Sequence, residues 1–193
     1  MLPMINTTTS NILRTTMGRF ALLVTASMLI AAPAHASTQG TLGATSQGSV
    51  QISVSVPSRV QISNLTDVDL TNSELGSVAS RPQNPCVWTN TATKSYTITA
   101  SGSGTGNAFT LASGELAPIS YAVQWAGTTG QTTGTALTPA AASSSFVSNA
   151  ALPGCTVAGS SASLIVTVAP GQLETMASAT PYTGTLTLLV NPI

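Results

Sequence analysis

The chain has 193 residues, of which 42 % are hydrophobic and only 5 % charged, with no net charge and a single histidine. Beyond residue 36 the cations are Arg59, Arg81 and Lys94, against Asp67, Asp69, Glu74, Glu115 and Glu174, so three positive charges face five negative ones and the balance is −2. That count excludes a basic patch able to hold nucleic acid or an acidic membrane.

The first 36 residues read as an export signal. Arg14 and Arg19 precede an apolar run from Phe20 to Ala32, and Pro33 leads into Ala34-His35-Ala36, the small-x-small pattern of signal peptidase sites. The expected cleavage follows Ala36, whether translation starts at Met1 or Met17. The run is shorter than the roughly 20 residues that span a bilayer. His35, the sole histidine, leaves with this segment. The mature chain, residues 37–193, is long enough for one domain with a real core.

After a loose Gly/Ser/Thr stretch, Val50, Ile52, Val54 and Val56 alternate strictly up to Pro57. Such a pattern suits a strand burying one face. Its place near the N-terminus makes it a candidate for export to a neighbouring molecule. Arg59 to Ile62 resumes the alternation, followed by Val68 and Leu70. Asp67 and Asp69 make a poor calcium cage without further acids nearby and read as a solvated strand end.

Further strand-like segments are Val87-Trp88, Tyr96 to Ala100, Phe109 to Leu111, Ile119 to Trp125, Leu164 to Val168 and Thr183 to Val190. Gly102, Gly104 and Gly106 lack the spacing of a phosphate-binding fingerprint and predict a hairpin connection. Thr128 to Ser145 predicts a long loop or an irregular exchange between sheets. The best helical candidate is short, Gln172 to Ala177 after Pro170-Gly171. Many short strands and few helices imply a β-sandwich.

Cys86 and Cys155 are the only cysteines. In an exported chain a pair without competitors forms a disulfide. With no histidine left they cannot complete an ordinary zinc site, so neither a metal nor any cofactor is expected. Serine hydrolysis would lack its base, and a glycosidase pair would have to come from five scattered acids, so no catalytic residue is assigned. Trp88, Tyr121 and Trp125 are read as core packing before a sugar platform.

Three stretches together resemble a known family: Gly48 to Pro57, Pro118 to Trp125, and Tyr182 to Val190. The chain is similar to subunits of chaperone–usher fimbriae, closest to the alpha-type colonisation-factor pilins and the spore-coat-U-like pilins. It departs from the first branch in having Cys86 and Cys155, and from the second in lacking a cysteine near Arg59. The resemblance implies an all-β fold, an incomplete immunoglobulin-like sandwich completed by a donor strand from a neighbouring subunit. The domains would be 1–36 signal peptide, 37–57 extension with donor strand, and 58–193 sandwich. Val50, Ile52, Val54 and Val56 would fill the neighbour's groove, and Tyr182, Leu186, Leu188 and Val190 would line the chaperone-facing groove. Donor exchange is favoured over self-completion because no strand-like element follows the last one.

The implied partners are a periplasmic pilus chaperone, an outer-membrane usher, and copies of the chain itself or other pilins, on the way to the cell surface. The alternative function is a monomeric secreted β-sandwich, an adhesin or carbohydrate-binding module that uses exposed aromatics.

Overall fold

A computed structural model describes residues 37–155 and 161–193; the whole signal-peptide reading, with Arg14, Arg19 and His35, lies outside the described residues. The chain divides into two compact units, Met1–Val54 and Ser55–Ile193. In the described part of the first, Thr38 and Ser49 form an isolated antiparallel bridge through two backbone hydrogen bonds of 3.0 Å, and their hydroxyls also meet.

The second unit is all-β but for short helical turns. Its strands are β1 (Val60–Ser63), β2 (Ala79–Gln83), β3 (Cys86–Thr89), β4 (Ser95–Gly102), β5 (Thr110–Leu111), β6 (Ile119–Ser120), β7 (Ala122–Ala126), β8 (Thr135–Ala136), β9 (Phe146–Val147), β10 (Ser163–Val168) and β11 (Leu186–Pro192). They form a four-stranded sheet ordered β2-β10-β7-β8, a three-stranded sheet β11-β4-β9, and the pairs β1-β3 and β5-β6. Every pairing among these strands is antiparallel. This is the layered β-sandwich expected of many short alternating strands.

The core follows from the period of two. On β4, Tyr96, Ile98 and Ala100 are buried while their neighbours are half-exposed. β7 buries Val123 and Trp125 in the same way, and β10 contributes Leu164, Val166 and Val168 to the same core. Trp125 Nε1 donates to the Tyr96 hydroxyl at 3.1 Å, a buried bond that ties the four-stranded sheet to the three-stranded one. Trp125 is fully buried and Tyr121 nearly so, its ring stacked on Phe109 with centroids 5.5 Å apart. These aromatics pack the interior, as alternation required.

Cys86 on β3 and Cys155 in the turn Pro153–Cys155 are joined by a disulfide with Cα atoms 5.7 Å apart. Both are buried in a small cluster of their own with Ala150, against which half-buried Trp88 packs.

Four local expectations need correction. Ile119 to Trp125 is two strands: β6 pairs with β5 and β7 with β10, and the switch falls at Tyr121, whose N–H donates to Phe109 O at 2.9 Å. Gly102 to Gly106 does not close a hairpin, because β4 pairs with β11 and β9 whereas β5 pairs with β6. Val68 and Leu70 lie in no strand, although both are half-buried against the core. The helix runs Pro170–Leu173, earlier and shorter than expected, since Pro170 presets the first helical φ and the Ala169 carbonyl accepts from Gln172 and Leu173. The Thr128 to Ser145 segment does exchange sheets. Its β8 pairs with β7, and then Ala140 and Ser143 donate to Ala100 O and Ile98 O of β4.

Candidate functional site: the free edge of the last strand

The sequence Leu186-Thr-Leu-Leu-Val-Asn-Pro192 alternates, and β11 obeys it. Leu186, Leu188 and Val190 turn toward the core, whereas Thr187, Leu189 and Asn191 face out. One side of β11 is fully paired, in register from Leu186 opposite Gly102 to Pro192 opposite Tyr96. Its other side has no partner among the described strands. A row of backbone N–H and C=O groups without ladder partners is a template for another strand.

β1 approaches β11 within 8 Å without pairing to it. β1 pairs instead with β3, from Val60 opposite Thr89 to Ser63 opposite Cys86. Its Val60 and Ile62, like Leu186 and Leu188, are half-buried, packed on the core from one side and open on the other. Val190 is the exception, only 9 % exposed and so part of the closed interior. Neither strand carries a titratable side chain. The site is thus an uncharged apolar strip beside a free sheet edge, suited to an extended apolar segment and to no ionic ligand.

Tyr182 lies outside β11 and is half-buried against the same core as Leu186 and Leu188. It precedes β11 by four residues, and its hydroxyl accepts from Ala177 N at 3.4 Å. The strand starts later than Thr183 for a local reason. Thr183 pairs with Ala112 beyond β5, and Thr185 N donates to Ser103 Oγ at 3.0 Å instead of to a ladder carbonyl. Val60 and Ile62, by contrast, show in the sequence as a strand and not as part of a site. Their alternation was visible, but which strand they would lie beside was not.

Val50, Ile52, Val54 and Val56 are 75 %, 89 %, 92 % and 77 % exposed, and residues 50–59 belong to none of the strands. Four branched apolar side chains in water on one short segment are an unusual surface.

Elsewhere the chemistry is sparse. Asp69 is held below the usual carboxylate range chiefly by its hydrogen bonds with Thr71, whose N–H donates to Oδ1 at 2.9 Å, and secondarily by Arg81. Burial pushes the Tyr96 and Tyr121 hydroxyls above their ordinary value, the bond from Trp125 partly opposing this at Tyr96. Among the described residues no three metal-ligating side chains gather, and no helix is long and apolar enough to cross a membrane.

No family model matches the chain, and no curated protein does. Among solved structures, it is similar to a chain from a chaperone–tip adhesin complex described as vital for activation of CFA/I fimbriae biogenesis, with a TM-score of 0.50 at 16 % identity. The likeness covers 69 % of this chain and 41 % of that one, so the chain spans less than half of its neighbour's length. At that identity the likeness is one of fold.

Proposed function

We propose that this chain is a structural subunit of an extracellular fimbria and polymerises by donor-strand exchange. The observation that carries the reading is the free edge of β11, flanked by the half-open side chains Val60, Ile62, Leu186 and Leu188. The same chain holds a segment with the matching properties: uncharged, apolar at every second position and exposed. Laid along β11 of a second copy, Val50, Ile52, Val54 and Val56 would enter the strip while Gln51, Ser53 and Ser55 face out. Burying those four side chains is worth about 6 to 12 kcal/mol as an upper bound, before ladder hydrogen bonds and ordering costs. The contact joins two different surfaces, so it repeats without closing and yields a filament.

The fold likeness to a chain of a fimbrial chaperone–adhesin complex supports this reading. A subunit with an uncovered edge needs a periplasmic chaperone before assembly, and an outer-membrane usher would then exchange that cover for the next subunit's segment. The role is structural, without catalysis or cofactor. A sugar-binding module is the weaker reading, since Trp125 and Tyr121 are spent on the core and Trp88 is half-buried beside the disulfide.

The test is to express the mature chain with and without Val54→Asp and to follow its size by chromatography, before and after denaturant. The proposal expects concentration-dependent polymers that resist denaturant and that the substitution reduces to monomer. A stable monomer indifferent to Val54→Asp sinks it.

A further inference from the structure

Four of the eight charged side chains beyond residue 36 lie at the two ends of the sandwich, whereas Asp67, Asp69 and Glu74 sit on the β1–β2 connection and Arg81 on β2. Lys94 directly precedes β4 and Arg59 directly precedes β1, and both belong to one turn system. The Asn90 side chain accepts from Arg59 N at 2.6 Å and donates to Pro57 O at 2.9 Å, Asn90 N donates to Arg59 O at 3.2 Å, and Lys94 N donates to Thr91 O at 3.1 Å. This is the end at which β11 finishes, because Pro192 lies opposite Tyr96 and Ile193 N donates to Ser95 O. Glu115 lies between β5 and β6, and Glu174 follows the helix Pro170–Leu173, whose Gln172 accepts from Ser120 N at 2.7 Å. Both are therefore beside the β5-β6 pair, which the bridge from Ala112 to Thr183 places where β11 begins. All four side chains are exposed.

These positions acquire a meaning that rests on the strand-donation reading. A strand added antiparallel to β11, as every described pairing is, starts beside Pro192 and ends beside Leu186. Val50 to Val56 and β11 are both seven residues long, so the lengths match. The donor's Val56 then leaves the acceptor at the acidic end, with its own Arg59 three residues on and within about 10 Å of reach. Parallel addition would instead bring Arg59 to the acceptor's Arg59 and Lys94, like against like.

We propose that successive copies of this chain meet end to end through a charged junction, in which Arg59 and Lys94 of the donor face Glu115 and Glu174 of the acceptor. The junction sets the direction of the inserted strand and speeds the encounter, and the apolar segment supplies the hold.

The experiment follows polymerisation of the full mature chain by light scattering for four proteins: wild type, R59E/K94E, E115K/E174K and the quadruple exchange. Each is run at about 0.01 M salt, where charges act over about 30 Å, and at about 1 M, where they act over about 3 Å. Each double reversal is expected to slow assembly about 10-fold at low salt. The quadruple exchange restores the wild-type rate, and at high salt the four converge. Wild-type rates for both double variants at low salt, or a quadruple variant no faster than the doubles, overturn the junction. Val54→Asp in the same assay separates the two claims. If it still polymerises, strand donation itself fails; if it is blocked while the charge variants match wild type, only the junction falls.

Discussion

Removing the disulfide tests how far the fold depends on its one covalent staple. Cys86 and Cys155 are 69 residues apart in sequence, 0 % and 4 % exposed, and packed with Ala150 and Trp88. Closing a loop of that length restricts the unfolded chain by about 4 kcal/mol in the chain-entropy model. Alanine at both positions suits the apolar surroundings and leaves no buried polar atom, so the entropic share should dominate. In a domain of this size each kcal/mol moves the midpoint by about 2–4 °C, which places the double variant about 10 °C below its parent. The assay is thermal unfolding followed by circular dichroism, with Val54→Asp present in both proteins so that assembly does not contribute. Reduction of the parent with a thiol should give the same midpoint as Cys86→Ala/Cys155→Ala. A shift of less than about 3 °C in both would refute the reasoning, because native contacts alone would then hold β3 to the Pro153–Cys155 turn.

Trp125→Phe leaves the buried Tyr96 hydroxyl without its donor, at a cost of about 1–3 kcal/mol, to which the cavity left by the smaller ring adds, readable in urea midpoints. Burial raises the Tyr96 and Tyr121 hydroxyls in the folded state, so their contribution to stability is complete below the ordinary value of 10.0 and is lost as pH rises toward the folded one. Phenolate absorbance from these two should therefore appear at a pH above the ordinary value of 10.0, and normal titration in the native protein contradicts the burial. Leu188→Asp places a charge in the half-buried strip beside the free edge and should block reception of a strand without harming donation, seen as monomers in chromatography.

The strands most legible in the sequence were those with one wet and one dry face. Tyr96, Ile98 and Ala100 alternate with hydroxylic residues, and β4 emerged where the period of two put it. β2 is not legible in the sequence, since Ala-Ser-Arg-Pro-Gln carries neither alternation nor branched residues. As an edge strand beside β10 it tolerates Pro82 and an exposed Arg81, for which a central strand would have no room. β8 and β9, two residues each, are too short for any period to register. The switch points leave no local pattern either. A continuous apolar run such as Ile119 to Trp125 says that the chain is extended, not that its partner changes at Tyr121.

The candidate site divides in the same way. The alternation of Val50 to Val56 and of Leu186 to Val190 was plain, and the lone cysteine pair announced its bond through compartment chemistry. That β11 keeps one edge unpaired among the described strands, while β1 approaches it without pairing, is a matter of long-range neighbours that no local pattern encodes.

The central claim is that the segment of one copy occupies the edge of another, and complementation tests it most directly. Val54→Asp disables the donor and leaves the strip intact, whereas Leu188→Asp disables the strip and leaves the donor intact. Each variant alone should elute as a monomer, and an equimolar mixture should give a one-to-one dimer that grows no further. No complex in the mixture, or long polymers from either variant alone, would contradict the account.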